Sequence, residues 1–167
     1  AMLASSPFAL TVHPSIGVGS VPELIKLAKS KPGQLNFAST GIGGTNHLAG
    51  ELFNSMAGVK IVHVPYKSTI TALPDLVNGS VSMMFAGVGQ VQTFARQGRV
   101  RILAVSTTTR SPLLPEAPTV AESGVPGYDS STWFALVGPT GTPMPVVNLL
   151  NGAILKFSQL KEKIGRA

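Results

Sequence analysis

The chain contains no cysteine. Disulfides, thiolate metal sites and a cysteine nucleophile are therefore excluded. Charge is also scarce, at 12% of 167 residues, with only 7 acidic side chains. The three histidines, His13, His47 and His63, stand apart, with no H-x-x-x-H spacing and no carboxylate cluster beside them. Neither a metal site nor a bound cofactor is expected from that set. No apolar run approaches the ~20 residues of a membrane-spanning helix. The opening "AMLASSPF" lacks a basic stretch followed by a long apolar core, so no export signal is read there. Its leading Ala1–Met2 reads as a cloning scar, which leaves room for a signal upstream.

What is present describes a folded chain. Hydrophobic residues make up 44%, punctuated by 18 glycines and 13 prolines. That length suits one domain with a sizeable core and is short for two. Thirteen basic residues against 7 acidic ones give a net charge of +6. They are scattered, with loose groups only at Arg96–Arg101 and Lys156–Arg166, and no aromatics interleave with them. A solvated face is expected, with no nucleic-acid partner.

Strand and helix patterns alternate along the chain. "FALTVH" (8–13) reads as a strand. Ser20 and Pro22 open a helix that "KPG" closes. The strand "LNFAS" leads through a glycine loop into a helix at about 46–57, with Gly58 as a left-handed cap. Strand 60–66, helix 68–77, strand 81–86, helix 88–97 and strand 100–106 follow. This alternation predicts an α/β fold with a parallel sheet and helices on both faces. A proline-rich stretch then leads to one more strand, 132–138, and a final helix. In that helix Val146, Leu149, Leu150, Ile154, Phe157, Leu160 and Ile164 recur at spacings of three and four, forming one apolar stripe. A truncated domain or a dimer would explain a stripe that needs covering.

The stretch "LNFASTGIGGTNHLAGELF" (35–53) carries the chemical question. Its Gly41-Ile42-Gly43-Gly44-Thr45-Asn46 fits G-x-G, but Asn46 stands where a dinucleotide fingerprint needs a third glycine. No acidic residue ends the next strand, and no G-K-[ST] marks a P-loop. Ser39 and Gly41 give half of a nucleophile elbow, with Phe37 at the first glycine position. An esterase using Ser39 is only an alternative reading. A non-ligand interaction module is another. What remains is anion capture, using hydroxyls of Ser39, Thr40 and Thr45 and the positive end of a helix. Spacing alone leaves this and a plain strand–helix turn equally open.

Several longer stretches carry a resemblance. "KPGQLNFASTGIGGTNHLAGELFNSMAGVKIVHVPYK", "ALPDLVNGSVSMMF", "GRVRILAVSTTTRSPLLPEAPTVAESGVPGY" and "STWFALVGPTGTP" resemble the extracytoplasmic receptors of tripartite tricarboxylate transporters, the Bug family. The likeness runs from about Ser5 to the end. It implies a bacterial periplasmic binding protein that takes a small organic acid, a dicarboxylate or an aromatic acid, without catalysis. It also implies a periplasmic-binding-protein-like α/β fold with a mostly parallel sheet, and membrane transporter subunits as partners of the full-length protein. Residues 14–131 would be the second ligand-binding domain, 1–13 the scar and a crossing strand, and 132–167 the returning strand and a truncated helix. As an isolated domain it would bind ligand poorly and would pair with a second copy as a homodimer or by domain swapping.

The family's loop motif falls on Ser39, Gly41, Gly43, Gly44, His47 and Glu51. The ligand-binding set implied is Ser39, Thr40, Gly41, Gly43, Gly44, Thr45, Asn46, His47, Ala86 and Trp133. Many family members carry Asp where this chain has Ala86, and Gly where it has Ser68. Losing the acidic residue weakens the case for an amino-acid ligand.

Overall fold

The computed structural model describes residues 2–158. It divides into two compact units, one of Pro7–Thr132 and one of the described parts of 1–6 and 133–167. In chain order the elements are β1 (Met2–Val12), α1 (Val21–Ser30), β2 (Asn36–Ser39), α2 (Thr45–Ala57), β3 (Val62–Pro65), α3 (Thr69–Asn78), β4 (Met83–Gly87), α4 (Val88–Arg96), β5 (Arg101–Val105), β6 (Ser131–Ala135) and α5 (Met144–Ser158).

The sheet runs β3-β2-β4-β1-β5, and β6 pairs with β1. β2 is parallel to β3 and to β4, as strand–helix alternation predicts. β1 departs from the parallel expectation. It lies antiparallel between β4 and β5, pairing Leu10 with Phe85 and with Ala104. β4 and β5 therefore share one direction on either side of a single reversed strand, and the sheet is mixed. Strand–helix alternation sets the direction only of strands joined by a helical crossover, and the connections within 36–105 join β2 through β5 and not β1.

Period-two alternation gives each face its own core. Leu10, Val12, Phe37, Met83 and Phe85 pack with Leu24 of α1, Phe53 of α2 and Tyr128. Their neighbours Ala9, Ala38, Met84 and Ala86 face the other way, against Leu76 of α3 and Val91 of α4. Helices thus cover both faces, as the alternation requires. The proline-rich stretch forms no long element. It contributes Leu114 and Ala117 to one core and Val120, Val125 and Tyr128 to the other. Glu122 ties it down, accepting from the Thr119 amide and from Arg110 Nε.

Sequence signals placed the helix ends well. Ser20 Oγ accepts from the Glu23 amide at the start of α1, and Gly58 ends α2 at φ 63°. In α5, Val146, Leu149, Leu150 and Phe157 are exposed and Ile154 is half-buried. Leu160 and Ile164 of the expected stripe lie outside the described residues.

Candidate functional site

β3, β2 and β4 lie side by side and parallel, so their carboxyl ends form one edge. Each runs straight into a helix: β2 into α2, β3 into α3, β4 into α4. No side chain accepts from the first-turn amides of any of the three. α1, by contrast, is capped by Ser20. Three helix starts, each carrying about half a positive elementary charge, therefore gather at one edge of the sheet. Crevices at strand carboxyl ends are where open α/β sheets hold ligands.

The glycine loop is more internally bonded than its composition suggests. Asn46 Oδ1 accepts from the Thr40 amide at 3.2 Å and from the Thr40 hydroxyl at 3.0 Å. The Gly41 amide donates to Ser39 Oγ, Gly43 to His47 Nδ1, and Gly44 to the Gly41 carbonyl. Four loop amides are thus spent on the loop itself. The donors left at the start of α2 are the amides of Thr45, Asn46 and His47, which no protein acceptor engages. Gly41 at φ 124° and Gly43 at φ 80° hold a path that side chains resist.

The expected hydroxyl donors are largely committed. Ser39 is fully buried and donates to the Gly41 carbonyl; Thr40 donates to Asn46; Thr45 Oγ1 lies 3.4 Å from Thr132 Oγ1. Asn46 emerges as the loop's organiser. Asn46→Ala is expected to leave the Thr40 amide and hydroxyl unpaired and to cost ~1–3 kcal/mol in denaturant unfolding. Asn46→Asp keeps the acceptor, suits the helix's positive end, and should recover most of that loss.

An aromatic stack backs the loop. His47 and His63 ring centroids are 4.1 Å apart, and Phe37 lies 5.0 Å from His63. His63 Nε2 is 2.6 Å from Ser39 Oγ. Sequence reasoning missed this pair, which spans 24 residues and follows no motif. The geometry does not make Ser39 a nucleophile. Its oxygen is buried, it also engages Gly41, and among the described residues no carboxylate is hydrogen-bonded to His63.

Burial and the neighbouring His47 push the His63 pKa below the ordinary 6.5, with Glu51 opposing them. The unfolded chain then binds more protons at His63 than the folded one does. Stability is therefore fully present above about 6.5 and falls as pH drops from there toward the folded value. Chemical denaturation at neutral and mildly acidic pH would register the fall, and His63→Gln should flatten it.

Ala86 sits in the core between the sheet and α3–α4, at 1% exposure. Its side chain faces away from solvent; Gly87, the next residue, reaches the strand end and opens α4. Trp133 lies on β6, in the unit without the loop, and is 64% exposed. The start of α4, at Gly87–Val88, was not singled out from sequence, and Ser68 at the start of α3 entered only as a departure from the family pattern. Only the strand order brings them beside the glycine loop.

Comparison with known proteins places this arrangement. Residues 1–162 match the tripartite tricarboxylate transporter family receptor. A Pseudomonas protein from the tcbD-tcbE intergenic region is 40% identical over 93% of this chain and 46% of its own. BugT of Bordetella pertussis is 35% identical over 96% of this chain and 49% of its own. The chain thus spans about half the length of these curated relatives. An R. palustris protein solved with adipate superposes with a TM-score of 0.83 at 39% identity, over 93% of this chain and 52% of that one. MatC from Rhodopseudomonas palustris, with bound malate, gives 0.80 at 30% identity, over 93% and 53%. From its first strand to its last described helix, the chain belongs to the tripartite tricarboxylate transporter receptor family.

Proposed function

We propose that the chain is one lobe of a periplasmic receptor that captures a small organic carboxylate and delivers it to transporter subunits in the membrane. The observation that carries this reading is the set of three helix starts on one sheet edge whose first-turn amides take no side-chain cap, with Gln90 Oε1 accepting only from the Gly87 amide that precedes α4. A carboxylate there gains charge-assisted hydrogen bonds from the Thr45, Asn46 and His47 amides without any cationic side chain. Ser39, Thr40, Gly41, Gly43 and Gly44 serve by shaping the loop that presents those amides. Ala86 and Trp133 enter differently: Ala86 packs in the core behind the edge and supports it without facing the ligand. Trp133 is a contact to be tested by substitution.

Structural relatives solved with adipate and with malate support an aliphatic diacid as ligand. The second carboxylate then falls to the half of the receptor beyond this chain, and residues 14–131 act as the second ligand-binding domain. Thermal unfolding of the full-length receptor tests this. A rise in melting temperature with adipate or malate, growing with concentration, is expected because ligand binds only the folded state. No rise with any diacid, or an equal rise with a diamine such as putrescine, would overturn the reading.

The exposed α5 residues also support self-association of this chain by itself, as a homodimer or by domain swapping. Light scattering over a concentration series should give a mass above the monomer's; a monomer throughout would end that part of the proposal.

A further inference from the structure

His47 holds the loop through a contact that only its neutral form can make. The Gly43 amide donates to His47 Nδ1 at 3.2 Å, so that nitrogen must be an acceptor and the ring proton must sit on Nε2. Nε2 in turn lies 3.9 Å from Glu51 Oε1, one turn along α2. His63 from β3 stacks on the His47 ring at 4.1 Å, and Phe37 from β2 lies at 6.3 Å. Ser39 fixes His63 from the far side. Among the described residues, Glu51 is the carboxylate that faces the pair.

We propose that His47 is a proton-sensitive latch on the anion loop, a positioning residue whose protonation releases the Gly43 amide. Taking a proton from solvent at Nδ1 converts the acceptor into a donor. The Gly43 N–H···Nδ1 bond then breaks, and two N–H groups face each other where one bond had been. A carboxylate oxygen can accept from both, so protonation adds a donor pair to the amides of Thr45, Asn46 and His47 on the same turn. Proton uptake and anion capture thereby favour each other. Burial and the neighbouring His47 push His63 toward its neutral form. This inference rests on the carboxylate-capture reading for its purpose, but its geometry stands without a ligand.

Amide hydrogen exchange by nuclear magnetic resonance on the unliganded chain tests it. Imidazole ¹⁵N shifts report the titration of His47 and His63 separately, and Gly43 protection is corrected for the intrinsic pH dependence of exchange. Gly43 protection should fall roughly five- to tenfold in step with His47 protonation, the amount expected for one hydrogen bond. His47→Asn keeps an acceptor near the Nδ1 position and should hold the protection constant over the same pH range. His47→Ala should leave Gly43 unprotected throughout; if that variant fails to fold, wild type and His47→Asn decide between them. Protection that ignores His47 protonation, that follows His63 instead, or that falls equally in His47→Asn would overturn the latch. None of these results depends on a carboxylate. A flat profile removes the latch and leaves capture at α2 untouched, whereas failure to bind diacids leaves the exchange result standing.

Discussion

Replacing Tyr128 with alanine is expected to cost about 3–5 kcal/mol, a large part of what holds a domain of this size together. The ring is fully buried, stacked on Phe85 at 5.9 Å and edge-on to Phe53 at 6.3 Å. Its hydroxyl donates to the Ala49 carbonyl at 2.9 Å, joining the end of the proline-rich stretch to the middle of α2. Burial pushes the phenol pKa far up, so the group stays a neutral donor at any ordinary pH. Tyr128→Phe separates the two contributions. It keeps the aromatic packing and removes one buried bond, while the Ala49 carbonyl keeps its partner within α2, for ~1 kcal/mol. Equilibrium unfolding in urea measures both. If Tyr128→Ala cost no more than Tyr128→Phe, the ring would not be the clamp described above.

The second large effect lies one residue further along α2. A methyl group at Gly50 would sit 2.7 Å from Phe37 Cδ2 and Cζ, and closer still to Cε2. Phe37 cannot retreat, because it is fully buried and backed by the His47 and His63 rings. Alanine normally gains about 1 kcal/mol over glycine inside a helix. Here the clash must outweigh that gain, and Gly50→Ala should destabilise by about 2 kcal/mol net. The same shift would lift the start of α2 from the sheet edge, so it should weaken diacid binding by the full-length receptor as well. A Gly50→Ala variant as stable as wild type would show that α2 is not seated this closely. Both substitutions address one dependency, since the anion site exists only while α2 is pressed against β2.

Much of this was legible in the sequence, for local reasons. Ser20, Gly58 and Gly79 mark helix ends through caps that need only neighbouring residues. Period-two alternation in "SMMFA" assigns Met83 and Phe85 to one face and Met84 and Ala86 to the other. The direction of β1 was not legible, because it depends on partners about 70 or more residues away. The same limit hid the Ser39–His63 contact, which spans 24 residues and follows no motif. Composition also overstated the loop's free donors. Three glycines suggest bare amides, yet Gly41 donates to Ser39 Oγ, Gly43 to His47 Nδ1 and Gly44 to the Gly41 carbonyl. The neighbouring starts of α3 and α4 become part of the site only once the order β3-β2-β4 is known.

The most direct test is an amide chemical-shift titration of this chain with adipate. Weak, saturable shifts are expected, confined to Thr45–His47 and to the starts of α3 and α4, in the millimolar range fitting half a clamp. No shift at those amides even at high adipate concentration, or shifts centred elsewhere on the Pro7–Thr132 unit, would contradict carboxylate capture at this edge.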